Sequence, residues 1–202
     1  MPRVVSGQFR GTILNSPKGD KTRPTTDKVK EALFSMIQNK LYDIDFLDLF
    51  SGSGQIGIEA VSRGAASAVL VDKAGDSIAV IKQNLEKLHF TEQRRKGEFT
   101  LENHDDDCKI TVMKDSIVAA MTKLGNEGKQ FDIIFMDPPY KVAAEQVNEV
   151  AKAINEYNLL KKDGILIVEH ANDTDLNKYV INLKFNRSCS YGLSVITFFC
   201  SL

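Results

Sequence analysis

The sequence is poor in the residues that build disulfide frameworks and metal centres. Cys108, Cys189 and Cys200 are its only cysteines; they are odd in number, far apart and form no CxxC pair, so a stapled scaffold or a thiolate zinc site is not expected and all three read as free thiols. His89, His104 and His170 are equally scattered and read as ordinary surface or core histidines. No metal is expected. Long apolar runs are also missing. Nothing approaches the roughly 20 residues that span a bilayer, and the opening MPRVVSGQFR lacks the apolar centre of a secretion signal. The expectation is a cytoplasmic protein with no membrane partner.

A strong charge of either sign is lacking too, since the formal net charge is −1. The balance hides an asymmetry. Residues 1–30 carry seven basic side chains against Asp20 and Asp27, a local +5 that leaves −6 for the rest. Such an end is either a phosphate-binding arm or a lysine-rich solvated surface, and charge alone does not choose.

What is present is an ordinary globular composition, 43% hydrophobic and 26% charged over 202 residues, enough for one domain (1–202) with a full core and expected to be monomeric. RVVSGQFRGTIL reads as a hairpin, followed by the loop NSPKGDKTRPTT; together, 1–24 form an extension. Val29, Ala32, Leu33, Met36 and Ile37 recur at helical spacing, with Thr25 or Thr26 available as cap. From residue 45, strands (DFLDLF, SAVLVD, ITVMKD, FDIIFMD, GILIVEH) alternate with helical patterns, which implies a mostly parallel sheet covered by helices on both faces. YVINLKF and LSVITFFC read as a closing hairpin turning near Tyr191–Gly192. The polar stretch 91–109 reads as a solvated loop with a short strand at EFTLE.

Chemistry concentrates at two places. DLFSGSGQIGIEA sets Gly52, Gly54 and Gly57 in a GxGxxG pattern between a strand and a helix, and Asp72 closes the next strand twenty residues on, where a carboxylate can accept ribose hydroxyls. A nucleotide-type cofactor is expected. Asp48, just ahead of the loop, would repel a pyrophosphate and could pair with a cationic amino group, which favours S-adenosylmethionine over a dinucleotide. Asp115, ending the third strand, is placed to accept an adenine amine or is only a surface carboxylate. The second place is FMDPPYK. Asp137 ends a strand at the same carboxyl edge, and Pro138 and Pro139 have no N–H, so the corner offers acceptors and few donors. It suits an exocyclic base amine, with Tyr140 stacking on a base taken out of its helix.

DPPY paired with FSGSG, together with RPTTDKVKEALFSMI, DLFSGSGQIGIEAVSRGA, RVVSGQFRG at the start and a YG near the end, resembles the RsmD family, the 16S rRNA (guanine(966)-N2)-methyltransferases, over nearly the whole chain. The resemblance implies a Rossmann-like class I S-adenosylmethionine-dependent methyltransferase fold: a seven-stranded, mostly parallel α/β sheet with an N-terminal β-hairpin extension. It implies a cofactor held by Asp48, Ser51, Gly52, Gly54, Gly57, Asp72, Lys73 and Asp115, catalysis at Asp137, Pro138, Pro139 and Tyr140, and an RNA-facing set of Arg3, Arg10, Arg23 and Lys28. The implied partner is 16S rRNA or the assembling small ribosomal subunit. The alternatives are an adenine-N6 methyltransferase of DNA or RNA, a nicotinamide-dependent oxidoreductase on the same loop, and a non-catalytic RNA-binding protein.

Overall fold

The computed structural model describes residues 2–17, 27–95, 98–103, 108–180 and 182–201. They fall into two compact units, Met1–Asp115 and Ser116–Leu202, taken here in turn.

The first unit holds α1 (Asp27–Ile37), β1 (Asp45–Leu49), α2 (Gln55–Ser62), β2 (Ser67–Asp72), α3 (Gly75–Lys87), β3 (Thr91–Arg95), β4 (Glu98–Asn103) and β5 (Cys108–Lys114). Its strands lie in the order β3-β4-β5-β2-β1, with β1–β2 and β2–β5 parallel and β3–β4 and β4–β5 antiparallel. Phe46, Leu47, Leu49, Leu70 and Val71 are fully buried, which is why these strands read as unbroken apolar runs rather than alternating ones. Helix α3 turns Ile78, Ile81 and Leu85 inward at helical spacing, and α2 packs on β1 and β2. The carboxyl ends of β1, β2 and β5 therefore share one edge of the unit, with the glycine loop following β1.

Two local expectations change. The stretch 91–109 is not a loop with one short strand: it carries β3 and β4, which extend the ladder from β5. Strand pairing is made by backbone groups, so a segment as polar as TEQRR can pair without an apolar face, and pairing removes the open edge that β5 would present. The opening hairpin is thinner than expected, a single antiparallel bridge between Arg3 and Ile13. Its ladder stops because the Val5 and Ser6 N–H groups donate to the Glu59 carboxylate instead (2.8 and 2.9 Å). Gly7 (φ +84°) turns the chain so closely against α2 that a Cβ there would sit 1.7 Å from the Ser62 carbonyl oxygen. Helix α1 lies where the pattern placed it; its proposed caps Thr25 and Thr26 fall outside the described residues.

The second unit holds α4 (Ile117–Asn126), β6 (Phe131–Met136), α5 (Ala143–Glu156), β7 (Leu160–Ala171), β8 (Leu183–Tyr191) and β9 (Ser194–Ser201). The order is β6-β7-β9-β8, with β6–β7 parallel and the other two pairings antiparallel. The closing hairpin turns at Gly192 (φ +65°), but its first strand starts at Leu183 and runs through the polar NRSCSY, while a 3-10 turn at Leu176–Lys178 precedes it. The seven expected strands are thus β1, β2, β5, β6, β7, β8 and β9, with β3 and β4 added. None of the three cysteines forms a disulfide. Among the described residues no helix is long and apolar enough to cross a membrane.

Candidate active site

The three glycines of the loop do three different jobs. Gly52 (φ +54°) and Gly54 (φ +77°, the residue before α2) sit in the left-handed region, which makes the strand-to-helix turn tight. A Cβ on Gly54 or Gly57 would meet Leu70 at 2.9 Å, so these two let the helix lie against β2. A Cβ on Gly52 would meet nothing within 4 Å; the space beside its backbone is open for a ligand. Ser51 is buried, donates its hydroxyl to the Asp48 carbonyl (2.7 Å) and its N–H to Val71 (3.0 Å), fixing the start of the loop.

Asp48 is 1% exposed and accepts the Gly57 N–H at 3.0 Å. Burial pushes its carboxyl up to about 8; the Gly57 hydrogen bond opposes that and the nearby Asp72 charge adds to it. A cation bound beside it would restore its ionised form. Asp72 braces the loop from the other side, accepting Gly52 N–H (2.9 Å) at Oδ2 and Ala74 N–H (2.8 Å) at Oδ1. Two carboxylate oxygens hold four lone-pair sites, so ribose hydroxyls can still be accepted. Lys73 is exposed beside it, and Asp115 is tied to β2 through its N–H to the Asp72 carbonyl (3.2 Å). Seven of the eight expected cofactor residues thus lie on the loop and strand ends of the first unit, and Gly57 lies in the first turn of α2.

Three residues here escaped the sequence reading. Gln55, first in α2, has a buried Oε1 with no hydrogen-bond partner. A buried acceptor left unpaired is costly, so this atom fits a ligand donor arriving at the loop. Asn84, fully buried in α3, donates to the Ser53 and Asn15 carbonyls (2.9 and 3.1 Å) and accepts Asn15 N–H (2.7 Å), tying the loop to the N-terminal segment. Glu59, fully buried in α2, gathers Val5 N–H, Ser6 N–H, Arg63 Nε (2.8 Å) and Lys30 Nζ (3.5 Å). The detectable signal was a charged or amide side chain on an otherwise apolar helix face.

Lys30 corrects the charge count of the N-terminal segment. It is fully buried, paired with Glu59 and donating to the Arg3 carbonyl, so its charge is not offered to a polyanion. Arg10 and Lys28 are exposed, and Arg3 is exposed while donating to Asp27 (2.8 Å). Arg23 lies outside the described residues.

In the second unit, Asp137 follows β6 and is half-buried, Pro138 is buried, and Pro139 and Tyr140 are exposed. The Pro139 carbonyl accepts Val142 N–H (3.0 Å), closing a 3-10 turn, and neither Pro138 nor Pro139 has an N–H to donate. Tyr140 is 53% exposed, with its hydroxyl 3.4 Å from Ser194 Oγ at the start of β9.

A family model described as "Conserved hypothetical protein 95" matches residues 2–200. YlbH of Bacillus subtilis is 34% identical over 98% of this chain and 97% of its own. Ribosomal RNA small subunit methyltransferase D of Escherichia coli (strain K12) is 29% identical over 92% of this chain and 82% of its own. Among solved structures, yhhF from Escherichia coli superposes with a TM-score of 0.77 at 27% identity, covering 99% of this chain and 97% of that one. Trm1 from Pyrococcus horikoshii in complex with S-adenosyl-L-methionine gives 0.70 at 15% identity over 93% of this chain and 58% of that one. The fold is the Rossmann-like methyltransferase fold.

Proposed function

We propose, because the chain belongs to the family described as Conserved hypothetical protein 95, the RsmD family, that it methylates the exocyclic N2 amine of a guanine in small-subunit ribosomal RNA, using S-adenosylmethionine. The two units act as one methyltransferase domain, and the partner is 16S rRNA or the assembling subunit in the cytoplasm. The observation that carries this reading is the donor-poor corner at Asp137–Pro138–Pro139, at the end of β6, beside an exposed Tyr140. The name of the Escherichia coli relative supports the RNA class of substrate.

S-adenosylmethionine supplies a methyl group already activated on a sulfonium, so no metal is called for. The task left to the chain is positioning. Asp48 takes the ammonium of the cofactor's amino-acid end, with Gln55 Oε1 as a second acceptor. Asp72 takes ribose hydroxyls, and the open side of Gly52 admits the backbone approach. Asp137 and the Pro138 carbonyl accept the two amine N–H groups, which turns the nitrogen lone pair out of the ring plane toward the methyl. Tyr140 stacks the extruded base, and Arg3, Arg10, Arg23 and Lys28 hold phosphates without reading sequence. Labelled S-adenosylmethionine with undermodified 16S rRNA or small subunits tests the assignment: label in guanine N2 is expected, and label in adenine N6 instead would overturn it.

Asp48 gives a separate test. Its folded pKa of about 8 lies above the ordinary value of 3.8, so between those two values the folded chain keeps a proton that the unfolded chain has lost. Stability then falls as pH rises through this window, by at most about 1.4 kcal/mol per unit, and levels off above the folded pKa. Asp48→Asn is expected to flatten that slope, leaving the variant more stable than wild type at pH 8 in urea unfolding while binding S-adenosylhomocysteine at least tenfold more weakly. Calorimetry in buffers of different ionisation heat should show cofactor binding to wild type releasing a proton at pH 7, and to the variant releasing none.

A further inference from the structure

The cofactor loop and the N-terminal segment meet at one fully buried side chain, Asn84 of α3. Its Oδ1 accepts Asn15 N–H (2.7 Å), while Nδ2 donates one proton to the Asn15 carbonyl (3.1 Å) and the other to the Ser53 carbonyl (2.9 Å). The orientation of the amide is fixed, because the flipped form would set its oxygen against two carbonyls and its nitrogen against an N–H. Two donors and an acceptor are needed at this depth. Aspartate lacks the donors, and glutamine has one more carbon to place.

What the amide holds is backbone on both sides. The Ser53 carbonyl shares its peptide unit with Gly54 N–H, which donates to the Ser51 carbonyl (2.7 Å), so the Ser53–Gly54 peptide is pinned at its two ends. The turn Ser51–Gly54 is thereby set, and with it Gly52, whose backbone has open space beside it for the cofactor. On the other side, Asn84 pairs with both backbone groups of Asn15, as a strand neighbour would. Two further α3 residues join it there: Gln83 accepts Asn15 Nδ2 (3.1 Å), and Lys87 Nζ reaches the Ile13 carbonyl (3.2 Å) and Asn15 Oδ1 (2.7 Å). Asn15 ends the segment that carries Arg3 and Arg10. The Glu59 and Ser62 bonds hold that segment from the second half of α2, whereas Asn84 holds it to the loop itself.

We infer that Asn84 is a positioning residue that couples the two ligands of the proposed reaction, so that S-adenosylmethionine on the loop and RNA on the N-terminal arm each strengthen the binding of the other. The inference rests on the RNA methyltransferase reading above. The cofactor restrains the Ser51–Gly54 turn and RNA restrains the arm; either restraint steadies the shared amide, and the second ligand meets a partner already ordered. Linkage makes the gain equal in both directions.

The test uses the full chain, S-adenosylhomocysteine and a 16S rRNA fragment. Saturating S-adenosylhomocysteine is expected to tighten the Kd for RNA about tenfold in wild type, and saturating RNA to tighten the Kd for S-adenosylhomocysteine by the same factor. Asn84→Ala should bring that factor to about one, whereas a merely structural loss would weaken both ligands and leave their ratio intact. Lys87→Met, at the exposed end of the same clamp, should weaken RNA binding with the factor retained. In wild type, S-adenosylhomocysteine alone should also slow amide exchange at Asn15 severalfold, a readout that stands even if Asn84→Ala does not fold. An RNA affinity indifferent to S-adenosylhomocysteine, an undiminished factor in Asn84→Ala, a factor lost in Lys87→Met, or unchanged exchange at Asn15 would overturn the inference while leaving the methyltransferase reading intact. No RNA binding and no methylation of any fragment or small subunit would instead remove the reading it rests on.

Discussion

Asp137→Ala is expected to lower kcat for methyl transfer by about two to four orders of magnitude and to leave cofactor affinity within about twofold of wild type. The guanine N2 lone pair is delocalised into the ring, so the amine is a poor nucleophile until its N–H bonds are held out of the planar arrangement. Two acceptors do this in the proposed complex, the Asp137 carboxylate and the Pro138 carbonyl, and only the first can be removed by substitution. A charged acceptor aimed at the charge that develops on the attacking nitrogen contributes more in the transition state than in the ground state. Its loss therefore falls on kcat, at about 1.4 kcal/mol per decade, rather than on KM. Asp137→Asn keeps one oxygen acceptor and should retain an intermediate rate. Tyr140→Ala separates stacking from orientation: with its ring 53% exposed it is not needed for the core, and its loss should raise KM for RNA by the about 1–3 kcal/mol of one base stack. Single-turnover kinetics beside S-adenosylhomocysteine calorimetry checks both. An Asp137→Ala variant that methylates within threefold of wild type would show that the corner does not orient the amine.

The local conformation at the two candidate sites was legible because their residues impose it. GxGxxG after a buried strand demands a tight turn, and φ of +54° at Gly52 and +77° at Gly54 meet that demand; Asp-Pro-Pro removes donors wherever it occurs. Helical faces such as Ile78–Ile81–Leu85 were legible because burial imposes their period. What stayed hidden depends on partners distant in sequence. Nothing in TEQRR announces a strand, since its sequence offers no apolar face and the pairing with β4 is a matter of backbone register. Asp48 could be placed beside the loop, but not known to hold its proton, because that follows from the apolar packing around it. Lys30 counted as one more cation of a basic segment, and only the fold shows that it faces Glu59 rather than solvent.

Glu59→Ala is expected to be the most destabilising single substitution in the first unit, by about 3–5 kcal/mol in urea unfolding, because it breaks a buried pair from one side. The change leaves the Lys30 ammonium inside the protein without its counter-charge and removes the acceptors of the Val5 and Ser6 N–H groups together. Arg63, stacked 4.9 Å from the Phe34 ring centre, keeps that contact but loses its carboxylate. The deficit has a pH signature. Burial already lowers the Lys30 pKa, chiefly against the attraction of Glu59, so removing Glu59 lowers it further. The unfolded chain then binds more protons than the folded one, and stability rises with pH; the variant's deficit should be larger at pH 6 than at pH 9. Lys30→Met combined with Glu59→Gln removes both charges, keeps an acceptor for one of the two N–H groups and should recover at least half the loss. Because Glu59 sits in α2, which begins at the glycine loop, and holds the turn after Arg3, its loss should also loosen the N-terminal arm before the sheet. Hydrogen exchange at Val5 and Ser6 would rise first, together with KM for RNA, while S-adenosylhomocysteine affinity changes less. A Glu59→Ala protein within 1 kcal/mol of wild type, or an equal deficit at both pH values, would mean that the arm is held chiefly by its other contacts, those to Ser62 and Asn84 among them.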